Sequence, residues 1–318
     1  MTKSSEEIIS LLNQYQWVSG EQIARKLQIS RTAVWKHIQH LKMKGYKIIA
    51  KPHKGYHLQE PIESVTVEEL KHQLHTTFIG NNVVHLPSVS STNDYAKTLA
   101  KENEKEGTIV LADIQTGGRG RKQRPWASPK GGLWFSIILR PNIPPTDAMK
   151  TTMCAACALT EAIKQNTNLN PSIKWPNDIL INDKKVCGIL TELSAEIDTI
   201  NYLIIGIGLN TNNQLPKDIR HLATSLKKES QKKVNNLTLF IQILESFERF
   251  YTALINKNDE MVRNTWISYS STIGSNILVK TEQGEIKGKA IGLDEHGELL
   301  VKTPQGEKKI ITGDISYL

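Results

Sequence analysis

Between Asp113 and Trp126 the chain reads D-I-Q-T-G-G-R-G-R-K-Q-R-P-W. Gly117, Gly118 and Gly120 leave backbone amides bare, Arg119, Arg121, Lys122 and Arg124 supply cations, and Trp126 closes the stretch with a flat ring. A flexible loop of this make-up folds over an anion and offers a face for a stacked base. A basic run taken alone is more often a solvated loop, so its neighbours must decide. Three stretches qualify. Ser91, Thr92 and Asn93 precede a helical pattern, where such residues usually act as caps but also suit a small polar headgroup at a helix start. Lys174 interrupts an apolar run, Ile173–Ile181, which places it either at a sheet edge or beside an anion. Asn210 ends the G-I-G-L-N segment, which lacks the third glycine of a dinucleotide fingerprint, and no Walker A sequence is present.

Alternating apolar runs supply the elements to carry these groups. Val83–Leu86, Thr108–Ala112, Leu133–Leu139, Val186–Leu193 and Leu203–Leu209 read as strands, with a turn at Asn182–Lys184. Helical spacing marks Val65–Leu74, the stretch from Met149 to Ile163 and the stretch from Leu239 to Leu254. Hairpins and helices alternate, which predicts an α+β layer, a mixed sheet with packed helices, over residues 63–268. Four short strands with glycine turns follow in residues 269–318, predicting a small SH3-like barrel with a packing or docking role.

The 318 residues carry a net charge of +8, and ten Lys/Arg against four Asp/Glu place +6 of it within residues 1–60. Nucleic acid is the natural partner of such a segment. Ile8, Leu12 and Tyr15 mark one helix, the Ser19/Gln22 capping box opens a second, and Ser30 caps a third that Gly45 stops. That is a helix-turn-helix. Arg31, Thr32, Trp35, Lys36 and His40 occupy the outer face of the third helix, and Lys51 and Lys54 flank a wing, K-P-H-K-G. These seven residues are the expected DNA contacts, against the alternative of a protein-binding three-helix module. A composition shift around Pro61, with Glu60, Glu63, Glu68 and Glu69, sets the boundary near residue 62.

At 39% hydrophobic and 23% charged residues the chain is globular rather than disordered. No stretch reads as a membrane span or signal, and three cysteines (Cys154, Cys157, Cys187) fit a reducing interior, so cytoplasm is expected. Cys154-x-x-Cys157 lies in a helical pattern without a second pair, which argues against zinc or redox chemistry.

Taken in order, G-G-R-G-R-K-Q-R-P-W, K-W-P-N-D and G-I-G-L-N resemble the biotin protein ligases. The winged helix in front resembles the bifunctional class that also represses the biotin operon. The resemblance implies ATP-dependent activation of biotin to biotinoyl-5′-adenylate and transfer to a lysine of a biotin carboxyl carrier domain. It further implies Mg²⁺ with ATP, operator DNA as partner, and a homodimer when ligand-loaded. By motif, Ser91, Thr92, Asn93 and Gln115 bind biotin. Arg119, Gly120 and Arg121 close over biotin and the adenylate phosphate. Arg124 meets the triphosphate, Trp126 stacks on adenine, Lys174 reaches the carboxylate and α-phosphate, and Asn210 contacts the nucleotide. Arg121 and Lys174 are the catalytic pair, since a carboxylate attacking a phosphate needs fixed cations. No metal ligand is identified, Asp178 being a weak candidate. The family often has G-R-G-R-R-G-R where this chain has Gln123, a departure expected to stiffen the loop. A non-catalytic ligand-sensing repressor and a ligase for a related acid such as lipoate are the alternatives.

Overall fold

The computed structural model describes residues 3–15, 17–43, 46, 48–52, 54–58 and 65–318, and the chain divides into two compact units, Met1–Glu68 and Glu69–Leu318. Gly45, His53, Glu60, Pro61, Glu63 and the boundary expected near residue 62 lie outside the described residues.

In the first unit α1 (Lys3–Gln14), α2 (Gly20–Leu27) and α3 (Arg31–Met43) precede the antiparallel pair β1 (Ile48–Lys51) and β2 (Gly55–Leu58). Ser19 and Gln22 exchange the reciprocal bonds of the capping box, 3.1 and 2.9 Å. Ser30 Oγ accepts from Ala33 N–H at the start of α3. Ile8, Leu12, Ile23, Val34, Ile38 and Leu41 form the core. Tyr15 does not join it: it falls just beyond α1 and is 55% exposed, because α1 buries Ile9 and Leu11 instead. Arg31, Thr32, Trp35, Lys36 and His40 are all exposed on α3, and Lys51 and Lys54 are exposed at the wing, Lys51 over the Trp17 ring at 5.5 Å.

The second unit opens with α4 (Val67–Gln73), which straddles the division, followed by β3 (Val83–Leu86), α5 (Thr92–Lys101), β4 (Ile109–Ala112) and β5 (Leu133–Leu139). Next come α6 (Ala148–Asn166), β6 (Ser172–Lys174), β7 (Asp178–Ile181), β8 (Lys184–Ala195), β9 (Ile200–Leu209), α7 (Leu226–Ser230), α8 (Asn236–Ile255) and α9 (Asp259–Tyr269). The seven strands order as β3-β4-β5-β9-β8-β7-β6, parallel between β3 and β4 and antiparallel elsewhere, which makes the mixed sheet. The helix α8 buries Leu239, Phe240, Ile243, Phe247 and Phe250, and Phe240 meets Phe135 of β5 edge-on at 4.7 Å. All three cysteines are buried free thiols whose pKa values burial pushes up, so they act as core residues.

The interrupted apolar run Ile173–Ile181 forms two strands, β6 and β7, paired through a turn at Trp175–Asn177. Pro176 cannot donate to a ladder, and Lys174 through Asp178 has too few apolar side chains to stay extended in a core. Five strands complete the chain: β10 (Asn276–Thr281), β11 (Gly284–Leu293), β12 (Leu299–Thr303), β13 (Gly306–Ile310) and β14 (Asp314–Tyr317), an antiparallel sheet ordered β13-β12-β11-β10-β14. The last of these has no counterpart in the sequence reading. This module is pinned to the larger sheet: Trp175 N–H donates to Thr272 Oγ1 at 3.0 Å, Trp175 Nε1 to the Gly297 carbonyl at 3.2 Å, and Ser271 N–H to Ile173 O at 2.9 Å.

Candidate active site

One cavity of about 360 Å³ is lined by every ligand-site residue expected from the sequence: Ser91, Thr92, Asn93, Gln115, Arg119, Gly120, Arg121, Arg124, Trp126, Lys174 and Asn210. The cavity has two chemically different ends.

At the first end, Ser91 caps α5, accepting from Asp94 N–H at 3.4 Å, which leaves Thr92 and Asn93 as the opening residues of the helix. Gln115 follows β4 and bridges to Val89 and Ser128, so its amide is held firmly. Its Oε1 accepts from both Thr92 N–H (2.8 Å) and Thr92 Oγ1 (3.0 Å), and its Nε2 donates to Ser128 Oγ (2.9 Å). Asn93 donates to Glu192 Oε2 at 2.7 Å and to the Leu190 carbonyl. Ser136, in the middle of β5 and fully buried, lies 2.8 Å from Thr92 Oγ1 and 2.6 Å from Asn93 Oδ1. Gly206 of β9 makes room for that amide: a Cβ there would stand 2.0 Å from Asn93 Oδ1. The result is a small, buried set of neutral hydrogen-bonding groups, fit for a compact polar ring system.

Loop geometry then links the ends. Arg119 pairs with Pro125 as an isolated bridge, Gly120 N–H donates to Arg124 O at 2.8 Å, and Arg121–Gln123 make one tight turn. Gly117 N–H likewise meets Ser90 O at 2.8 Å, so the amides of Gly117 and Gly120 are bonded rather than bare. Lys122 and Gln123 both have φ in the left-handed region, 53° and 58°. Such a conformation suits glycine and costs other residues roughly 1 kcal/mol each, which is why glycine is apt at position 123 and Gln123 strains the turn.

Arg119 does not reach open into the cavity. It forms a two-pronged pair with Asp94 at 2.5 Å and approaches Glu192 at 3.4 Å, while Lys97 also holds Glu192 at 2.5 Å. The Arg119 bond holds the Asp94 carboxyl below the usual range. Burial pushes Glu192 up, but Lys97, Asn93 and Arg119 outweigh it and keep that carboxyl low. Both stay ionised at neutral pH.

At the other end, Trp126 lies over Gly188 and Gly208, where a Cβ would come within 3.3 and 2.3 Å of its ring. Lys185 Nζ sits 5.2 Å from that ring and pairs with Asp178 at 2.6 Å. Lys174, last residue of β6 at the sheet edge, sits over Tyr317 at 5.1 Å, and burial lowers its pKa. Arg121 is half-buried, its pKa lowered by burial, and donates to Thr312 Oγ1 (2.6 Å), the Gly313 carbonyl (3.2 Å) and Asn177 Oδ1 (3.4 Å). Arg124 binds Asp314 at 2.5 Å. Residues 269–318, expected to pack or dock, also contribute to the site: Gly313, Asp314 and Ile315 form part of the cavity wall. Asn210, buried, accepts from Asn213 Nδ2 at 2.9 Å. No cluster of three metal-binding side chains occurs among the described residues, and Asp178 and Asp314 are already paired with cations.

Sequence reasoning missed Asp94, Ser136, Glu192, Lys185, Asp314 and the seating glycines. The serine had a signal: it is the one polar residue in the otherwise apolar run Leu133–Leu139.

The biotin/lipoate A/B protein ligase family model matches residues 85–210, an HTH domain model matches 5–57, and the biotin protein ligase C terminal domain matches 272–318. The chain is 40% identical over 316 residues to the bifunctional ligase/repressor BirA of Bacillus subtilis, covering 98% of this chain and 97% of that one. To the bifunctional ligase/repressor BirA of Escherichia coli it is 28% identical over 312 residues, 98% and 96% of the two chains. The biotin protein ligase of Aquifex aeolicus, solved with biotin and ATP, superposes with a TM-score of 0.66 at 32% identity, covering 75% of this chain and 99% of that one. With a full-length relative at this identity and three matched segments in the same order, the chain belongs to the biotin protein ligase family, in its bifunctional ligase/repressor form.

Proposed function

We propose that this ligase joins biotin and MgATP into biotinoyl-5′-adenylate, releases pyrophosphate, and passes the biotinoyl group to a lysine of a biotin carboxyl carrier domain. The observation that carries this reading is the single cavity with a neutral reader at one end and Arg121, Arg124, Lys174 and Lys185 at the other. In this reading Ser91, Thr92, Asn93 and Gln115 hold the ureido ring, and the Arg119–Arg121 loop covers the acyl phosphate. Lys174 and Arg121 offset the charge that builds as carboxylate oxygen attacks the α-phosphorus and the bond to pyrophosphate breaks. Trp126, Arg124 and Asn210 take adenine, triphosphate and nucleoside. Mg²⁺ would enter as part of MgATP, a hard cation suited to phosphate oxygens and water. A loop over a mixed anhydride also keeps water from hydrolysing it.

We assign residues 1–62 to DNA binding, 63–268 to the ligase and 269–318 to the C-terminal module. Arg31, Thr32, Trp35, Lys36, His40, Lys51 and Lys54 meet operator DNA, and the adenylate-loaded chain binds it as a homodimer in the cytoplasm. Free buried cysteines, the absence of any described helix able to cross a membrane, and the exposed basic face of α3 support these points.

Pyrophosphate release from MgATP tests the enzymatic reading. It should require biotin, and release at the same rate without biotin would exclude the assignment. Affinity for operator-like DNA should fall by about one log unit per log of salt for each phosphate contact.

A further inference from the structure

The neutral end of the cavity contains one hydrogen too few. Gln115 cannot flip, because Thr92 N–H must meet an acceptor and finds Gln115 Oε1 at 2.8 Å. Asn93 cannot flip either, because its Nδ2 faces the Glu192 carboxylate at 2.7 Å and the Leu190 carbonyl at 3.3 Å, neither of which donates. Both ends of the chain Gln115 Oε1–Thr92 Oγ1–Ser136 Oγ–Asn93 Oδ1 are thus fixed acceptors. Its links measure 3.0, 2.8 and 2.6 Å. Three short oxygen–oxygen contacts share the protons of two hydroxyls. One contact always lacks a proton, and its two buried oxygens face each other lone pair to lone pair.

We infer that Ser136 is a specificity-determining positioning residue, which makes this chain of oxygens demand an N–H donor from the ligand. The inference rests on the reading of biotin as the acid bound. When Thr92 donates to Gln115 and Ser136 donates to Thr92, Asn93 Oδ1 is the acceptor left unserved. A ureido N–H supplies the missing proton there. No bond is made or broken; the hydroxyls only settle into one of their two directions. A ring without an N–H, such as a dithiolane, leaves the deficit in place and is rejected, as is a ureido nitrogen carrying methyl. Ser136 itself does not line the cavity, so it acts through Thr92 and Asn93. The Gly206 floor and the Glu192 clamp keep Asn93 from turning away.

Steady-state kinetics with biotin and with its two N-methylureido analogues test this on the full-length protein. Wild type should favour biotin over at least one analogue by a hundredfold or more. Ser136→Ala should raise the KM for biotin roughly tenfold, with kcat and the KM for ATP within twofold, and should shrink the preference over that analogue about tenfold. A parallel rise in both substrates' KM would mean a merely structural role and overturn the inference, as would an unchanged preference. Should Ser136→Ala fail to fold, Ser136→Cys, whose thiol hydrogen-bonds weakly, takes its place: it too should shrink the preference, and an unchanged preference, or equal use of biotin and both analogues by wild type, overturns the inference. Failure of wild type to bind biotin at all would instead remove the functional reading on which the inference stands.

Discussion

The two ends of the cavity achieve readiness by opposite means. At the neutral end, Thr92, Asn93, Ser136 and Gln115 are uncharged, largely buried and fastened to one another before any ligand arrives. At the cationic end, Arg121, Arg124 and Lys185 are fastened to groups that an anionic ligand would displace or share: the Gly313 carbonyl, Asp314 and Asp178. Rigidity selects shape and hydrogen-bond pattern with little reorganisation. Compensated cations avoid the cost of bare buried charge and yield it only to a stronger anion. On the proposed assignment, affinity for biotin would be built into a preformed side-chain network, whereas turnover of ATP would depend on exchanging one set of ion pairs for another.

Removing the cation that forms no salt bridge among the described residues should break the cationic end most severely. Lys174→Ala is expected to cut the rate of biotin-dependent pyrophosphate release about 10²–10³-fold, roughly 3–4 kcal/mol, with biotin KM little changed. A loss below tenfold would show that Lys174 is not aimed at the reacting phosphate. A pair of glycine variants then separates the ends. Gly206→Ala drives a methyl into Asn93 and should raise the biotin KM ten- to a hundredfold while sparing ATP, and Gly208→Ala drives one into Trp126 and should do the reverse. Equal effects of both on both substrates would dissolve the distinction drawn between the ends.

The smallest effect concerns the ion pair at the wall. Burial pushes the Asp314 carboxyl up, yet Arg124, Lys122 and Arg121 outweigh it and hold the folded pKa below the ordinary value. A depressed carboxylate pKa contributes stability that is present above the unfolded pKa, near 4, and is lost as pH falls through the folded one. Asp314→Asn should therefore lower stability at neutral pH by less than about 1 kcal/mol, read as a small fall in Tm, because the pair is partly exposed. Below the folded pKa, in strong acid, variant and wild type should converge, and a gap that widened there would contradict the ion pair's role.

Periodicity and capping made most elements legible: Ser19 and Gln22 announced α2, and the apolar run to Leu139 announced β5. Motif spacing likewise picked out residues that line one cavity, because they cluster at strand ends and loops. What stayed hidden was pairing at a distance. Glu192 serves Asn93 from 99 positions away and Asp314 serves Arg124 from 190, and nothing local marks either carboxylate as bound to its partner. Gly188, Gly206 and Gly208 read as ordinary strand glycines until Trp126 and Asn93 are seen resting on them. The Ile173–Ile181 run hid its pairing because its apolar ends are similar, while Pro176 folds one back on the other.

That separation along the chain has a consequence in time. During synthesis the clamp on Asn93 can close only once β9, which joins β8 to β5, has been made, and the partner of Arg124 follows some 105 residues after Leu209. At about 5–20 residues per second the wall that carries Asp314 lags by roughly 5–21 seconds. A nascent ligase would thus pass through an interval in which it can grip the vitamin yet cannot spend ATP on it. Ribosome-stalled chains ending between these two points should retain biotin without releasing pyrophosphate.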